Sequence, residues 1–136
     1  MNIIIMGCSR AGARLAAMLD GEGHDVTVLD TEPYCFRHLP KTFKGTAVAG
    51  NGLDEEVLRK SGIEKADVFI AVTEEDNKNL MAAQIAKQIF NVPRVICQVY
   101  DPVREELCRE SGIEVVIPTK IIAEILYRIT TGEEEE

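Results

Sequence analysis

Short apolar runs alternate with amphipathic stretches along almost the whole chain. The runs are rich in β-branched residues and several are apolar at consecutive positions, which is typical of strands covered on both faces of a parallel sheet. They predict six strands, at 2–6, 25–30, 46–49, 68–72, 95–99 and 115–117.

Apolar residues at helical spacing predict a helix in every gap between consecutive strands except the one between the second and third, and one helix after the last strand. These helices are expected at 10–19, 54–60, 74–90, 102–110 and 119–129. Asp54 is a suitable N-cap, and Thr73 with Asp76 three residues later resembles a capping box. Strands alternating with helices favour right-handed βαβ units. We therefore predict an α/β fold of the Rossmann type: a doubly wound, parallel six-stranded sheet in the order 3-2-1-4-5-6 with a C-terminal crossover helix.

The loop after the first predicted strand carries the first candidate chemistry. It reads Gly7-Cys8-Ser9-Arg10-Ala11-Gly12, where a dinucleotide-binding fold has G-x-G-x-x-G. In that motif the first glycine permits a tight turn, the middle one lets the backbone approach a pyrophosphate, and the third lets the helix pack closely. Helix-opening amides and the Arg10 charge favour an anion here. The alternative is a tight strand-to-helix turn that binds nothing.

Three further candidates end the neighbouring strands. A carboxylate at Asp30 can accept both ribose hydroxyls of an adenosine and would repel a 2′-phosphate, which favours NAD over NADP; otherwise it is a solvated strand end. Gly50-Asn51-Gly52-Leu53 suits the close approach of a flat base, although glycine and asparagine are also common in turns. Thr73 fits a contact to ribose or phosphate and a helix cap equally well.

Composition narrows the class of protein. The chain has 136 residues, enough for one domain, and a net charge of −8, half of it in the glutamates at 133–136. An acidic body and few aromatic residues argue against a nucleic-acid partner. The four cysteines form no CxxC pair, so neither a metal site nor a disulfide framework is expected. With no signal peptide and no long apolar run, we expect a cytoplasmic protein that is not inserted in a membrane.

The order of these motifs resembles the N-terminal nucleotide-binding domain of TrkA-type potassium-transport regulators, also called the RCK or KTN domain. The resemblance covers about residues 1–130. It is carried by the glycine loop, Val28-Leu29-Asp30-x-Glu32, Gly50-Asn51-Gly52, Asp67–Thr73, Asn79–Gln84, Val92–Ile96, Asp101-Pro102, Ser111–Ile113 and Val115–Pro118. It implies a non-catalytic regulatory subunit that binds NAD(H) or an adenine nucleotide (ATP, ADP or AMP). Such a subunit gates a potassium channel or transporter from the inner face of the cell membrane, as a dimer-based ring.

The resemblance also implies a role for each site residue. The loop Gly7, Cys8, Ser9, Arg10, Ala11 and Gly12 would hold phosphates and Asp30 the ribose, with Thr31 and Glu32 beside it. Asn51, Gly52 and Leu53 would lie near the adenine and Thr73 near the second phosphate or nucleoside. The chain departs from the family pattern at Ser9, at Asn51 in place of the common aspartate, and at Gln98 where an arginine often stands. Ser9 favours a mononucleotide over a full dinucleotide.

The end of the chain predicts an association surface. We expect residues 1–117 to form the nucleotide-binding domain, 118–131 an amphipathic helix, and 132–136 an acidic disordered tail. The helix carries an apolar stripe made of Ile121, Ile122, Ile125, Leu126 and Ile129. The stripe either packs on its own sheet or, if exposed, joins a second copy in a homodimer.

Two other functions remain open. A small NAD-dependent oxidoreductase or redox sensor would need an acid or base near the nicotinamide, and this edge offers only Thr73, Asp76 and Lys78. We assign no catalytic residue. Cys8 stands at a helix start that can stabilise a thiolate, but a small residue filling the turn explains it better. A nucleotide-free scaffold is the third reading.

Overall fold

Six parallel strands form one sheet in the computed structural model, which describes residues 1–133. The strands are β1 (Asn2–Met6), β2 (Asp25–Asp30), β3 (Thr46–Ala49), β4 (Val68–Ala71), β5 (Arg94–Gln98) and β6 (Glu114–Val116). Their order is β3-β2-β1-β4-β5-β6, and every neighbouring pair is parallel. The predicted fold class and strand order are confirmed, with the last three strands differing from the predicted ranges by about one residue at their ends.

Helices connect the strands as the apolar spacing predicts. They are α1 (Arg10–Gly21), α2 (Glu55–Lys60), α3 (Asp76–Gln84), α4 (Glu105–Glu110) and α5 (Pro118–Thr131). The Asp54 side chain accepts a hydrogen bond from the Glu56 amide at 2.9 Å, so the predicted N-cap of α2 is confirmed. The helix expected over 74–90 begins later, and after α3 it continues as a π-helix at Ile85–Ile89.

The capping box expected at Thr73 and Asp76 is wrong. The residue before α3 is Glu75, and its side chain makes no cap hydrogen bond. The Asp76 carboxylate instead accepts hydrogen bonds from the amides of Tyr100, at 2.8 Å, and Asp101, at 3.0 Å. Since β5 has ended at those amides, Asp76 supplies the acceptors that they need and ties α3 to the loop after β5.

The sheet is buried unequally on its two faces. One face packs against α2, α3 and α4 around Phe69, Leu58 and Val95. The other packs against α1 around Ile5 and Val28. On that second face a groove of about 450 Å³ remains open over β4, β5 and β6, and its lining is mostly apolar.

Helix α5 has no buried residue. Its apolar stripe is exposed by 46% to 72%, at Ile121, Ile122, Ile125, Leu126 and Ile129. The stripe therefore does not pack on the sheet of its own chain. Across residues 1–133, no helix is long and apolar enough to cross a membrane. Residues 134–136, most of the predicted acidic tail, lie outside the described residues.

Candidate nucleotide-binding cleft

A cleft of about 780 Å³ opens where the strand order reverses, at the carboxyl ends of β1 and β4. Ligands of open parallel sheets bind at this position. The predicted residues that line it are Gly7, Cys8, Ser9, Arg10, Ala11, Asp30, Thr31, Glu32 and Thr73. Asn51, Gly52 and Leu53 line an adjoining recess of about 40 Å³, which Asp30, Thr31 and Thr73 share. Gly12 lines neither pocket.

The outer glycines of the loop serve the fold. Gly7 has a φ of +116°, and a Cβ there would lie 2.8 Å from the backbone nitrogen of Thr73. A Cβ on Gly12 would lie 2.0 Å from the Gly7 carbonyl oxygen. Only glycine therefore fits at either position, and α1 can start directly against β1. Gly12 thus has the packing role expected from the motif.

The start of α1 presents unpaired amides to the cleft. Ser9 is the N-cap, and its hydroxyl accepts a hydrogen bond from the Gly12 amide at 3.2 Å. The amides of Ser9, Arg10 and Ala11 have no partner within the described range 1–133. Three free N–H groups at the positive end of a twelve-residue helix form a suitable site for a phosphate. The backbone of Ser9 is ordinary, with φ −68° and ψ 176°, so a glycine is not required there for conformational reasons.

Asp30 holds two loops of the cleft together. One carboxylate oxygen accepts the Cys8 amide at 2.8 Å, and the other accepts the Glu32 amide at 2.9 Å. A carboxylate has about four acceptor positions, so both oxygens retain capacity for the hydroxyls of a ribose. No sequence feature signals the bond to Cys8, because this bond depends on the pairing of β1 with β2.

The turn after β3 is explained by the protein's own packing. The Asn51 side-chain oxygen accepts the Leu53 amide at 2.9 Å, which forms an Asx turn. A Cβ on Gly52 would lie 2.3 Å from the sulfur of Met6. A glycine is therefore needed at 52 because the turn packs closely against Met6 of the core. A contact between Gly52 and a base stays a prediction.

Asn79 is the residue that sequence reasoning missed. It is fully buried on α3 and uses its whole hydrogen-bonding capacity. Its oxygen accepts the Thr73 amide at 2.9 Å and the Thr73 hydroxyl at 2.6 Å. Its nitrogen donates to the carbonyls of Thr73 and Gln98, each at 2.9 Å. Asn79 therefore fixes the ends of β4 and β5 beneath the cleft; its sequence signal is its place in the Asn79–Gln84 stretch that carries the family resemblance.

Of the two roles weighed for Thr73, a helix cap and a ligand contact, the structure excludes the helix cap. Its hydroxyl donates to Asn79 and accepts the Glu75 amide at 3.2 Å. It lies ahead of the N-cap position of α3, so it is not the helix cap. Its contact with a ligand stays a prediction.

Charges of both signs surround the cleft. Beyond the predicted residues it is lined by Cys35, His38, Val72, Glu74, Glu75, Lys78, Gln98 and Tyr100. The Lys78 ammonium lies 2.9 Å from a carboxylate oxygen of Glu75, and this hydrogen bond raises the pKa of Lys78. Arg10 forms no ion pair in the part of the chain that the structure describes. Of the arginine and the lysine that line the cleft, Arg10 is thus the one available to an anion.

The family model of the TrkA-N domain matches residues 3–119 of the chain. The chain belongs to the TrkA-N domain family. A Trk system potassium uptake protein TrkA from Streptomyces coelicolor is 42% identical over 128 residues, which are 94% of this chain and 57% of that protein. This TrkA-N chain thus spans little more than half the length of that relative.

Solved structures resemble this TrkA-N domain over nearly its full length. The TrkA-N domain of the inner membrane protein ybaL from Escherichia coli superposes with a TM-score of 0.84 at 19% identity, covering 94% of this chain and 95% of that one. A GsuK channel bound to NAD gives a TM-score of 0.78 at 25% identity, covering 92% of this chain and 23% of that one.

Cys8 of this TrkA-N domain fills the turn as a buried thiol. Its sulfur donates to the Cys35 carbonyl at 3.5 Å, and the side chain is fully buried. Burial raises the pKa of the Cys8 thiol and raises that of Cys35 to about 12. Desolvation is the largest cause at both sulfurs, and neither is a thiolate at neutral pH. This arrangement supports the packing interpretation of Cys8 over a redox role.

Proposed function

We propose that this TrkA-N domain is a non-catalytic sensor. It binds NAD(H) or an adenine nucleotide in the cleft and thereby regulates a membrane potassium channel or transporter. The observation that carries the proposal is the set of three free amides at the start of α1 beside the Asp30 carboxylate. The NAD-bound GsuK channel and the TrkA relative support the same reading.

Each part of the ligand has a matching group in the cleft. The loop at 7–12 holds the phosphates on its amides, with Arg10 adding a positive charge. Asp30 accepts the ribose hydroxyls beside Thr31 and Glu32 and disfavours a 2′-phosphate, so NAD is preferred to NADP. The recess at 51–53 adjoins Asp30 and takes the adenine. Thr73 lies next to the second phosphate or nucleoside.

The three side chains that this edge offers as a general acid or base are already bonded to other groups of the protein. The Thr73 hydroxyl is bonded to Asn79, and the Asp76 carboxylate accepts two backbone amides. Lys78 is paired with Glu75, which keeps it protonated. A group that is already hydrogen-bonded and charged is a poor general acid or base at neutral pH, so a binding role is favoured over hydride transfer.

Thermal unfolding with NAD⁺, NADH, ATP, ADP and AMP tests the binding function. A ligand at about 100 times its Kd should stabilise the folded domain by about 2.7 kcal/mol. Asp30→Ala should weaken every ligand that carries an adenosine ribose, as measured by calorimetric titration. Asp54→Ala is the matched control, because it also removes an aspartate bonded to a backbone amide but lies outside the cleft. Unchanged midpoints with all five ligands would refute the sensor and leave the scaffold.

We also propose that the domain is a homodimer in which the α5 stripe of one copy occupies the open groove over β4, β5 and β6 of the other. The chain presents both apolar surfaces without covering either. Ile125→Glu should convert the dimer to a monomer in analytical ultracentrifugation, whereas Glu124→Gln on the same helix should leave it dimeric. A dimer that survives Ile125→Glu contradicts this arrangement.

The partner that we propose is a potassium transport protein of the cell membrane. The domain would act at the inner face of that membrane, in the cytoplasm. Rubidium uptake by cells lacking the protein should then differ from that of the parent strain, and Asp30→Ala should not restore the parental rate. Identical uptake in both strains would contradict the partner.

A further inference from the structure

The connection between β2 and β3 is basic. Residues 33–53 contain no aspartate or glutamate, although 23 of the 136 residues of the chain are acidic. Arg37, Lys41 and Lys44 lie in this stretch, and all three are exposed. We call residues 33–45 the basic segment. It forms a local positive surface on a protein whose net charge is −8.

The cations of the basic segment have no acidic partner in the described chain. Across residues 1–133 the ion pairs of lysine and arginine all lie elsewhere, for example between Arg94 and Glu114 at 3.2 Å. The Asp20 carboxylate accepts the backbone amide of Lys44 at 3.0 Å but forms no ion pair with its ammonium. These charges are therefore available to an anionic group of another molecule.

Apolar residues fix the backbone that carries these charges. Phe36, Leu39 and Phe43 pack against the core beside α1. The Leu39 amide donates to the Phe36 carbonyl at 3.1 Å, and the Phe43 amide donates to the Pro40 carbonyl at 3.0 Å. Because the backbone is ordered before a partner arrives, binding costs little backbone conformational freedom.

Tyr34 and Arg37 form an ordered pair at the start of the basic segment. The guanidinium carbon of Arg37 lies 3.8 Å from the centre of the Tyr34 ring, and the guanidinium donates to the Tyr34 carbonyl at 3.0 Å. Tyr34 is 73% exposed, so the pair is not part of the core. Tyrosine and arginine are enriched among the residues that dominate protein interfaces. This pair therefore favours a protein as the partner.

An open sheet edge lies beside the basic segment. The 3₁₀ helix Pro33–His38 contacts β3. Strand β3 ends the sheet on this side, pairs with β2 alone, and has three exposed residues out of four. An edge strand leaves backbone N–H and C=O groups unpaired, and an extended peptide can pair with them. A peptide with acidic side chains would therefore find backbone partners and charge partners side by side.

Charge and position disfavour the other occupants. A bilayer or a nucleic acid extends beyond the basic segment and meets the rest of a protein of net charge −8, which repels anionic surfaces. Segments that bind anionic lipids commonly have about four to eight clustered lysines and arginines, against three here. The groove that we assign to a second copy lies over β4, β5 and β6, at the other end of the sheet.

We propose that the basic segment and the edge of β3 bind an acidic, extended segment of a partner protein. The inference goes beyond the proposed function, because it assigns a surface whose three cations do not line the nucleotide cleft. Binding to this surface does not require a nucleotide.

NMR titration of the ¹⁵N-labelled full chain with an octaglutamate peptide tests the inference. The amides of residues 33–45 and of β3 should shift most. The Kd should rise about fivefold or more between about 50 and 300 mM NaCl, because salt screens exposed charges. The double substitution Lys41→Glu and Lys44→Glu should weaken binding about tenfold or more.

The matched control is the double substitution Lys60→Glu and Lys65→Glu. Both lysines are exposed and form no ion pair in the described range 1–133. This variant has the same net charge as the Lys41→Glu and Lys44→Glu variant but leaves the basic segment intact. It should bind the peptide within about threefold of the parent. Equal weakening in the two variants would overturn the inference, because net charge alone would then govern binding.

Each other occupant has an outcome that overturns the inference. Shifts confined to the loop at 7–12 would show that the peptide binds only as an anion in the phosphate site. Sedimentation with phosphatidylglycerol vesicles that is lost in the Lys41→Glu and Lys44→Glu variant would make the segment a membrane surface. A changed oligomeric state of that variant in analytical ultracentrifugation would assign the segment to a second copy.

A nucleotide titration keeps this inference separate from the proposed function. ADP should shift the amides of the loop at 7–12 equally in the parent and in both double variants. If ADP does so while octaglutamate shifts no amide of the basic segment, the inference fails and the nucleotide site stands. If the peptide binds as expected and no nucleotide does, the proposed function fails and the docking surface stands.

Discussion

Asn79 offers the sharpest test of how the cleft is built. Asn79→Leu keeps a side chain of similar size and removes all four hydrogen bonds. The Thr73 carbonyl retains the Gln98 side chain as donor, and the Gln98 carbonyl retains only the weak Cys97 thiol at 3.7 Å. The Thr73 amide thus loses its only partner, and the Gln98 carbonyl loses its only strong one. Each buried group left unpaired costs about 1–3 kcal/mol. We therefore expect the free energy of unfolding to fall by about 2–6 kcal/mol.

Urea unfolding followed by circular dichroism measures this loss. Asn77→Leu is the matched control, because Asn77 lies on the same helix but is exposed, and its replacement should stay within about 0.5 kcal/mol of the parent. A loss below about 1 kcal/mol in Asn79→Leu, with an unchanged denaturant slope, would show that the buried amide does not hold β4 to β5.

Three further predictions concern other parts of the fold. Gly12→Ala should unfold or strongly destabilise the domain, because its Cβ would lie 2.0 Å from the Gly7 oxygen, whereas Gly21→Ala, with open space around it, should be neutral or stabilising in thermal melts. Stability should fall as the pH rises above 9.0, because the thiols of Cys97 and Cys35 ionise there in the unfolded chain, whereas burial raises the folded pKa of each to about 12; Cys97→Ala should reduce the decline, and a stability that stays constant from pH 9 to 10.5 would contradict it. Asp54→Ala should cost about 1 kcal/mol in urea unfolding through the lost cap of α2, and no loss would show that the cap contributes nothing.

The main elements of the fold could be predicted because their causes are local. Consecutive β-branched residues predict covered parallel strands, and the alternation with helices limits the topology to few choices. Gly7 and Gly12 were recognisable because a fixed spacing serves a fixed turn. Asp54 was recognisable for the same reason, since an N-cap acts on the helix that follows it directly.

The capping box failed where a distant partner competed with a local one. Thr73 and Asp76 have the spacing of a cap, but the amides after β5 take the Asp76 carboxylate and Asn79 takes the Thr73 hydroxyl. The local preference for a cap is weak compared with the hydrogen bonds offered by the two amides after β5 and by the fully buried Asn79 side chain. Asp76 lies 24 positions from Tyr100 and 25 from Asp101 along the chain, so local spacing does not signal these two bonds.

The strand order, the glycine loop and the acid at the end of β2 follow from the pattern and spacing of residues along the chain. The hydrogen-bond partners at the cleft follow only from the folded arrangement: Asp30 bonds the Cys8 amide, Asn79 the ends of two strands, and Gln98 the Thr73 carbonyl. Strand pairing causes this, because it places the ends of β2, β1, β4 and β5 side by side. Their unpaired backbone groups then select partners by distance in space, which the order of residues does not contain.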